Sequence, residues 1–400
     1  MYVKSGQGHM NLINVYIQRP SENTIVLASN YGDIRIEHSG PADEISSNGD
    51  FAVWFFLPLA MRLGLDIEID ATGTPKTCDN AFFVSSIWQR WLPGHFSATR
   101  VKFKRGPAEC CLEDQSEMLS FYSGGIDSTF SLLSTYIKRG VVGDLLTVHG
   151  MDYKFDDPVR FEALIAKTSP FATMVSKKRL FVRTDAYALY NRYHCNPDGH
   201  HVTHIFSLAG SAFLHSRYGI YSIAADYRLD QQFLVHPWGS NSATNKYISD
   251  GKRSIITTND DISRSDKLEL LTKSSEALSS LTFCVNYKSR PNNCGVCSKC
   301  IRTKIMFLAR TGSIPNIFND LDIPSNWYSL MNISRSADRV FLADIISCIE
   351  RFNSMARIPN FDKAKRAYEA YVPNETNSIG TILRKKIRQS MAQVLDVLKR

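Results

Sequence analysis

The six residues Ser123-Gly124-Gly125-Ile126-Asp127-Ser128 constrain this chain more than any other segment. A short apolar run (119–122) precedes them, and in the following stretch (128–138) Phe130, Leu133 and Ile137 recur at helical spacing. A strand therefore passes directly into a helix across two glycines. Glycine reaches backbone conformations closed to other residues and lets amide N–H groups approach an anion. The helix N-terminus adds unpaired N–H donors and partial positive charge. Ser123, Ser128 and Thr129 offer hydroxyl donors, and Asp127 is placed either to help hold a phosphate-bound Mg²⁺ or to cap the helix. These features point to polyphosphate binding rather than a plain Gly-Gly turn. No Gly-Lys-Ser/Thr ending follows, so this is not a Walker A loop and γ-phosphate transfer is not implied.

The surrounding pattern extends the strand-to-helix reading. Apolar runs at 119–122, 145–149, 180–182 and 220–225 alternate with helical stretches at 128–138, 159–167, 205–217 and 265–278. This order predicts an α/β fold with a parallel sheet covered by helices, and strands buried on both faces read as continuous apolar runs. Gly219 is a candidate C-cap for the helix over 205–217. Residues 1–117 mix β-like runs (13–17, 24–27, 33–36, 65–69 and 100–103) with one helical stretch (51–63), which predicts an α+β accessory domain. Residues 118–310 then form the nucleotide-binding domain. Residues 311–400 read as a helical tail, with helices expected at 301–310, 339–356 and 381–398. The basic residues of the last stretch, Arg384, Lys385, Lys386, Arg388, Lys399 and Arg400, read more simply as a solvated face than as a surface for RNA or an acidic partner.

Four of the nine cysteines crowd into 284–300, as Cys284 followed by Cys294-Gly295-Val296-Cys297-Ser298-Lys299-Cys300. Two-residue gaps let neighbouring thiolates turn back onto one ion, and Cys284 can close a tetrahedral set. A Cys₄ zinc site of this kind is structural, since no coordination position is left for water. Buried free cysteines and an iron–sulfur cluster are the alternatives. Lys299, Arg302 and Lys304 are expected to soften the site's negative charge. The cluster points to a reducing compartment, hence a cytoplasmic protein. The N-terminal MYVKSGQGHMNL lacks the apolar core of a signal peptide, and no run reaches the length of a membrane span. The formal charge of +8 suits anionic ligands; it is also compatible with nucleic acid but does not indicate it.

The loop resembles the PP-loop of ATP pyrophosphatases, which implies cleavage of ATP between its α- and β-phosphates through an adenylated substrate. On that resemblance ATP is bound by Ser123, Gly124, Gly125, Ile126, Asp127, Ser128 and Thr129. The cysteine spacing is similar to the zinc knuckle of the 7-cyano-7-deazaguanine synthases, and Ser265-Asp266-Lys267-Leu268-Glu269 is similar to their Asp-Lys-Ala-Glu. The resemblance covers roughly 118–310. It implies ATP, Mg²⁺ and Zn²⁺ as cofactors, with Asp127, Lys267 and Ser123 as catalytic residues. Lys267 would stabilise negative charge as pyrophosphate leaves. The chain departs from the pattern in three places. The gap after the first cysteine is longer, Arg302 falls one place early, and Gly199-His200-His201-Val202-Thr203-His204 replaces a Pro-Gly-Arg-Asn run.

Other residues are weaker candidates. His149 and Gly150 follow the second strand of the alternating region, where open α/β sheets build ligand crevices, and are placed to contact the nucleotide. His204, Asp226 and Trp238 are candidate substrate contacts, Trp238 as a platform for a flat heterocycle. His194, His200, His201 and His204 read as a polar loop rather than a metal site. Cys78, Cys110, Cys111, Cys195 and Cys348 read as packing residues.

The expected reaction is adenylation of 7-carboxy-7-deazaguanine followed by attack of an amine. In the first version the amine is ammonia, as in the synthases. In the second it belongs to a protein acceptor, as the extra domains suggest by likeness to synthase-like proteins of anti-phage defence clusters. A PP-loop tRNA-modifying enzyme and an inactive nucleotide-binding scaffold are the remaining alternatives. A homodimer is compatible with all of these.

Overall fold

Leu119 and Ser120 are almost wholly buried, as are Leu145, Leu146 and Tyr221, so the runs that contain them are core strands. The computed structural model describes residues 12–108, 117–197 and 201–371. Among them, five strands form a parallel array: β6 (Met118–Phe121), β7 (Asp144–His149), β8 (Arg179–Thr184), β9 (Ile220–Ala224) and β10 (Ser254–Thr258). Their spatial order is β10-β9-β6-β7-β8. From β6 the chain moves to β7 on one side, and later to β9 on the other. The carboxyl end of β6 is therefore a topological switch point, where open α/β sheets form a ligand crevice.

The N-terminal strands extend this same sheet. They are β1 (Leu12–Ser21), β2 (Thr24–Ser29), β3 (Ile34–His38), β4 (Asp66–Ile69) and β5 (Val101–Phe103). β3 pairs antiparallel with β8, matching Ile36 to Thr184 and His38 to Val182. The ten described strands run β10-β9-β6-β7-β8-β3-β2-β1-β4-β5. The sheet is thus mostly parallel, with antiparallel pairs confined to β8, β3, β2 and β1.

Helices cover it. Nearly every side chain of α1 (Asp50–Leu63) is buried, against α2 (Pro75–Trp91) and α6 (Thr203–Phe213). Gly210 of α6 lies directly under the Phe55 ring. α3 (Ile126–Arg139), α4 (Pro158–Val175), α5 (Ala186–Arg192) and α7 (Leu229–Val235) follow strands β6, β7, β8 and β9. α8 (Arg264–Leu271) and α9 (Ser275–Ser279) come after β10, and α10 (Ser298–Thr311), α11 (Ser336–Arg351) and α12 (Phe361–Glu369) complete the described chain.

Several expectations are corrected in detail. The single helix expected over 265–278 is two helices, because the Ser274 hydroxyl accepts the Ala277 N–H and caps a new helix. The helix expected to reach Arg217 ends at Phe213, so Gly219 is not its cap. β10, α2, α5, α7 and α12 were not read from the sequence. The basic stretch 381–398 lies outside the described residues, as do Cys110, Cys111 and His200.

Candidate functional site

The loop at the end of β6 is held by its own hydroxyls and by the segment that follows α9. The Gly125 N–H donates to Ser123 Oγ at 3.3 Å, Ser128 Oγ donates to the Gly125 carbonyl at 3.2 Å, and the two serine hydroxyls lie 3.3 Å apart. The Thr282 N–H donates to the Gly124 carbonyl at 2.8 Å. Gly124 has φ +75°, and a Cβ there would fall 2.6 Å from the methyls of both Thr168 and Thr282. Only glycine meets both demands. Ser123 is exposed and Ser128 partly so, whereas Thr129 is fully buried in the first turn of α3 and faces the interior.

Asp127 sits in that first turn, buried, and receives two cations from the start of α8. Lys267 Nζ lies 2.8 Å from Asp127 Oδ1 and also donates to the Ala225 carbonyl at 2.7 Å. Arg264 forks onto the same carboxylate, with Nε 3.4 Å from Oδ1 and Nη2 on Oδ2. Burial opposes ionisation of Asp127, but Arg264 and Lys267 outweigh it and hold its pKa below the usual carboxylate range. Ser263 caps α8 by accepting the Asp266 N–H, and Ser265 is fixed by Asp344 of α11 through its N–H at 3.0 Å and its hydroxyl at 2.7 Å. The helix start that carries Arg264 and Lys267 is thus anchored on its far side.

Asp226, one residue beyond the Ala225 carbonyl that Lys267 holds, meets the same Arg264 guanidinium. Its Oδ1 lies 3.5 Å from Arg264 Nη2, and its Oδ2 accepts the Trp238 indole N–H at 3.1 Å. Trp238 is surrounded by rings, with centroids of His201 at 5.4 Å, Tyr227 at 5.6 Å and His204 at 5.9 Å. Tyr227 in turn packs on Phe341 of α11 at 5.0 Å. Phe341 carries the guanidinium groups of Arg264 at 4.6 Å and Arg302 at 3.8 Å. Burial drives the His204 pKa down to about 4, so its ring is neutral at physiological pH. Burial lowers the Lys299 pKa, an effect that the charges of Asp152 and Asp226 oppose and those of Arg302 and Arg264 reinforce.

Contacts therefore join Asp127, Lys267, Asp226, Trp238 and His204 through Arg264 and the aromatic rings, and Ser123 stands in the loop that leads to Asp127. His149 and Gly150 are packed against neighbouring elements. His149 is buried, its Nε2 lies 2.7 Å from the Lys154 carbonyl, and its ring stacks on Phe161 at 4.2 Å. Gly150 (φ +107°) presses so closely on β8 that a Cβ would fall 1.7 Å from the Thr184 carbonyl oxygen. The sequence reading missed Arg264, Tyr227 and Phe341. Arg264 directly precedes the Ser-Asp-Lys run, which is the one signal that could have found it.

The cysteines converge at the start of α10, where Cys297 is the N-cap residue and Cys300 lies in the first turn. The Sγ atoms of Cys284, Cys294, Cys297 and Cys300 all lie within 4.8 Å of one another. Cys284 and Cys297 are 3.8 Å apart, and Cys294 and Cys300 are 3.9 Å apart. Four sulfurs at ~2.3 Å from a tetrahedral ion stand ~3.8 Å from each other, whereas a disulfide would bring a pair to ~2 Å. Spacing and donor set both fit, so the four cysteines could bind a metal ion such as zinc. The expected charge compensation differs from the observed one. Lys304 is buried and donates to the carbonyls of Asp320 and Asp322, and Arg302 faces Asp338 at 3.7 Å. Both serve the crevice side and the following loop. Comparison with known protein families, with characterised proteins and with solved structures found no match for this chain.

Proposed function

We propose that this chain uses ATP and Mg²⁺ to adenylate the carboxylate of a 7-deazaguanine-type substrate, 7-carboxy-7-deazaguanine, and passes the acyl group to an amine. The substrate carboxylate attacks the α-phosphorus and pyrophosphate leaves. The amine nitrogen then attacks the acyl carbon, AMP leaves and one proton is released. The observation that carries this reading is the meeting of Asp127 and Lys267, 140 residues apart in the chain, at the mouth of a glycine loop on a switch point of the sheet. A loop of N–H and hydroxyl donors, followed by paired ammonium and guanidinium groups, suits the charge that develops as pyrophosphate departs. The ring-lined wall at Trp238 suits a flat heterocycle. Zinc is assigned a structural part in the cysteine knuckle, which sets the start of α10 and with it Arg302.

The test supplies the purified chain with ATP, Mg²⁺ and 7-carboxy-7-deazaguanine, with ammonia or with candidate acceptor proteins. AMP and pyrophosphate are the expected products, and release of ADP and phosphate would refute the reading. The mass of the acylated product identifies the amine: an amide or nitrile for ammonia, an added deazaguanine acyl mass for a protein acceptor.

A further inference from the structure

Arg264 makes a contact that phosphate binding alone does not call for. Its guanidinium touches Asp127 under the loop and, at 3.5 Å, Asp226 at the end of β9. Asp226 has one other described partner, the indole N–H of Trp238 at 3.1 Å. A second path joins the same two ends, because Arg264 lies over Phe341, Phe341 packs on Tyr227 and Tyr227 packs on Trp238. A single side chain thus belongs to both the anion seat and the aromatic pocket.

We propose that Arg264 is a positioning residue that couples the phosphate seat to the substrate pocket, so that arrival of a polyphosphate shifts Trp238 through Asp226. The inference rests on the proposed function only in taking the loop to bind phosphates. A polyphosphate brings more negative charge and more acceptor oxygens to the loop than the Asp127 carboxylate offers, and a guanidinium matches phosphate in a two-pronged geometry. Arg264 drawn toward the loop weakens its hold on Asp226. Asp226, about one-third exposed, then either follows the cation and releases the indole or stays with the indole alone. Each outcome changes the polarity around Trp238. Lys267 does not duplicate this link, since its ammonium is taken up by Asp127 and the Ala225 carbonyl. The consequence is ordered assembly: nucleotide first, then the planar substrate in a pocket reset by the phosphates.

The experiment uses the full chain and inorganic pyrophosphate with Mg²⁺, read by tryptophan fluorescence and by calorimetry. The chain has five tryptophans, so the signal of Trp238 is the difference between the wild type and Trp238→Phe. Pyrophosphate is expected to produce a fluorescence change that Trp238→Phe lacks. Asp226→Asn is expected to bind pyrophosphate and lose that change. Arg264→Met is expected to lose it and bind at least about tenfold more weakly, as for a lost charge-assisted hydrogen bond. Asp226→Asn alters a partly exposed group and keeps the test valid if Arg264→Met fails to fold. Pyrophosphate that binds the wild type without a Trp238 signal overturns the coupling alone, as does a signal that survives in Asp226→Asn. Failure of the wild type to bind pyrophosphate overturns the phosphate seat, and the coupling with it.

Discussion

Replacing the two loop glycines one at a time separates what the loop needs to fold from what it needs to bind. At Gly124 an alanine must adopt φ +75°, which costs about 1–2 kcal/mol for an L-residue. Its Cβ would also sit 2.6 Å from the methyls of Thr168 and Thr282, against an ordinary contact of about 3.5–4.0 Å. Two neighbours on different elements must then retreat, and overpacking of this kind costs about 1–3 kcal/mol. The total is about 2–5 kcal/mol. With an unfolding entropy of about 2.1 cal/mol/K per residue, a 400-residue chain loses roughly 2–6 °C of melting temperature. Gly125 is different. It has φ −72° and ψ 163°, open to any residue, and a Cβ there meets only the Ser123 hydroxyl, at 3.3 Å. Gly125→Ala should therefore melt within about 1 °C of the wild type, since the change stays near 0.5 kcal/mol. Its methyl nevertheless crowds the Ser123 hydroxyl, which the proposed function places against a phosphate, so pyrophosphate affinity should fall. Scanning calorimetry and pyrophosphate titration on both variants read the two quantities. A Gly124→Ala protein that melts like the wild type, together with undiminished pyrophosphate binding by Gly125→Ala, would refute the loop geometry and its use.

Lys267→Met keeps the buried stem and removes the charge, while Arg264 still neutralises Asp127. Pyrophosphate release from ATP should fall about 10²–10³-fold with only a small loss in melting temperature; an equal loss in both would reduce Lys267 to a structural residue. The purified chain should carry about one zinc and no visible absorption. Cys294→Ser or strong chelation should remove the metal and expose the segment around 284–300 to proteolysis, and a brown chromophore would overturn the zinc assignment. Burial pushes the His215 pKa down to about 3, with neither ring nitrogen hydrogen-bonded. A histidine kept neutral in the fold but free to protonate when unfolded lends stability that is complete above pH ~6.5 and is lost as pH falls toward 3, by up to ~1.4 kcal/mol per unit. His215→Gln should flatten the melting temperature between pH 7 and 5, and an unchanged slope in that variant would remove His215 as the cause.

The local geometry of the site was more legible in the sequence than its electrostatics. The strand-to-helix turn at Ser123–Ser128 and the cysteine spacing are local patterns whose geometry follows from a few bonds, and the structure forms both. Arg264 carried no such pattern. Its role depends on α8 packing against α3 near the segment that follows β9, and a pairing between residues 127, 226 and 264 leaves no periodic trace in the chain. His149 shows the other limit, since its place at the end of a sheet strand was legible while its hydrogen bond to the Lys154 carbonyl and its stacking on Phe161 were not. Secondary structure was missed where elements are short or polar. β10 is Ser-Ile-Ile-Thr-Thr with one wholly buried residue, Ile255, and it forms because β9 offers a parallel partner along its whole length. α2 mixes polar and aromatic residues, and its start is set by the Thr74 cap and Pro75 rather than by an apolar face.

The pairing of β3 with β8 has a consequence for how this chain can be cut. A fragment beginning at residue 117 would leave β8 as a bare border with its N–H and C=O groups unmatched, ready to recruit any passing strand. It would also uncover the face of α6 that Phe55 now shields. Such a piece is expected to clump rather than work alone. The N-terminal segment acts as the sheet's selvedge, finishing the edge from which the parallel half would otherwise unravel.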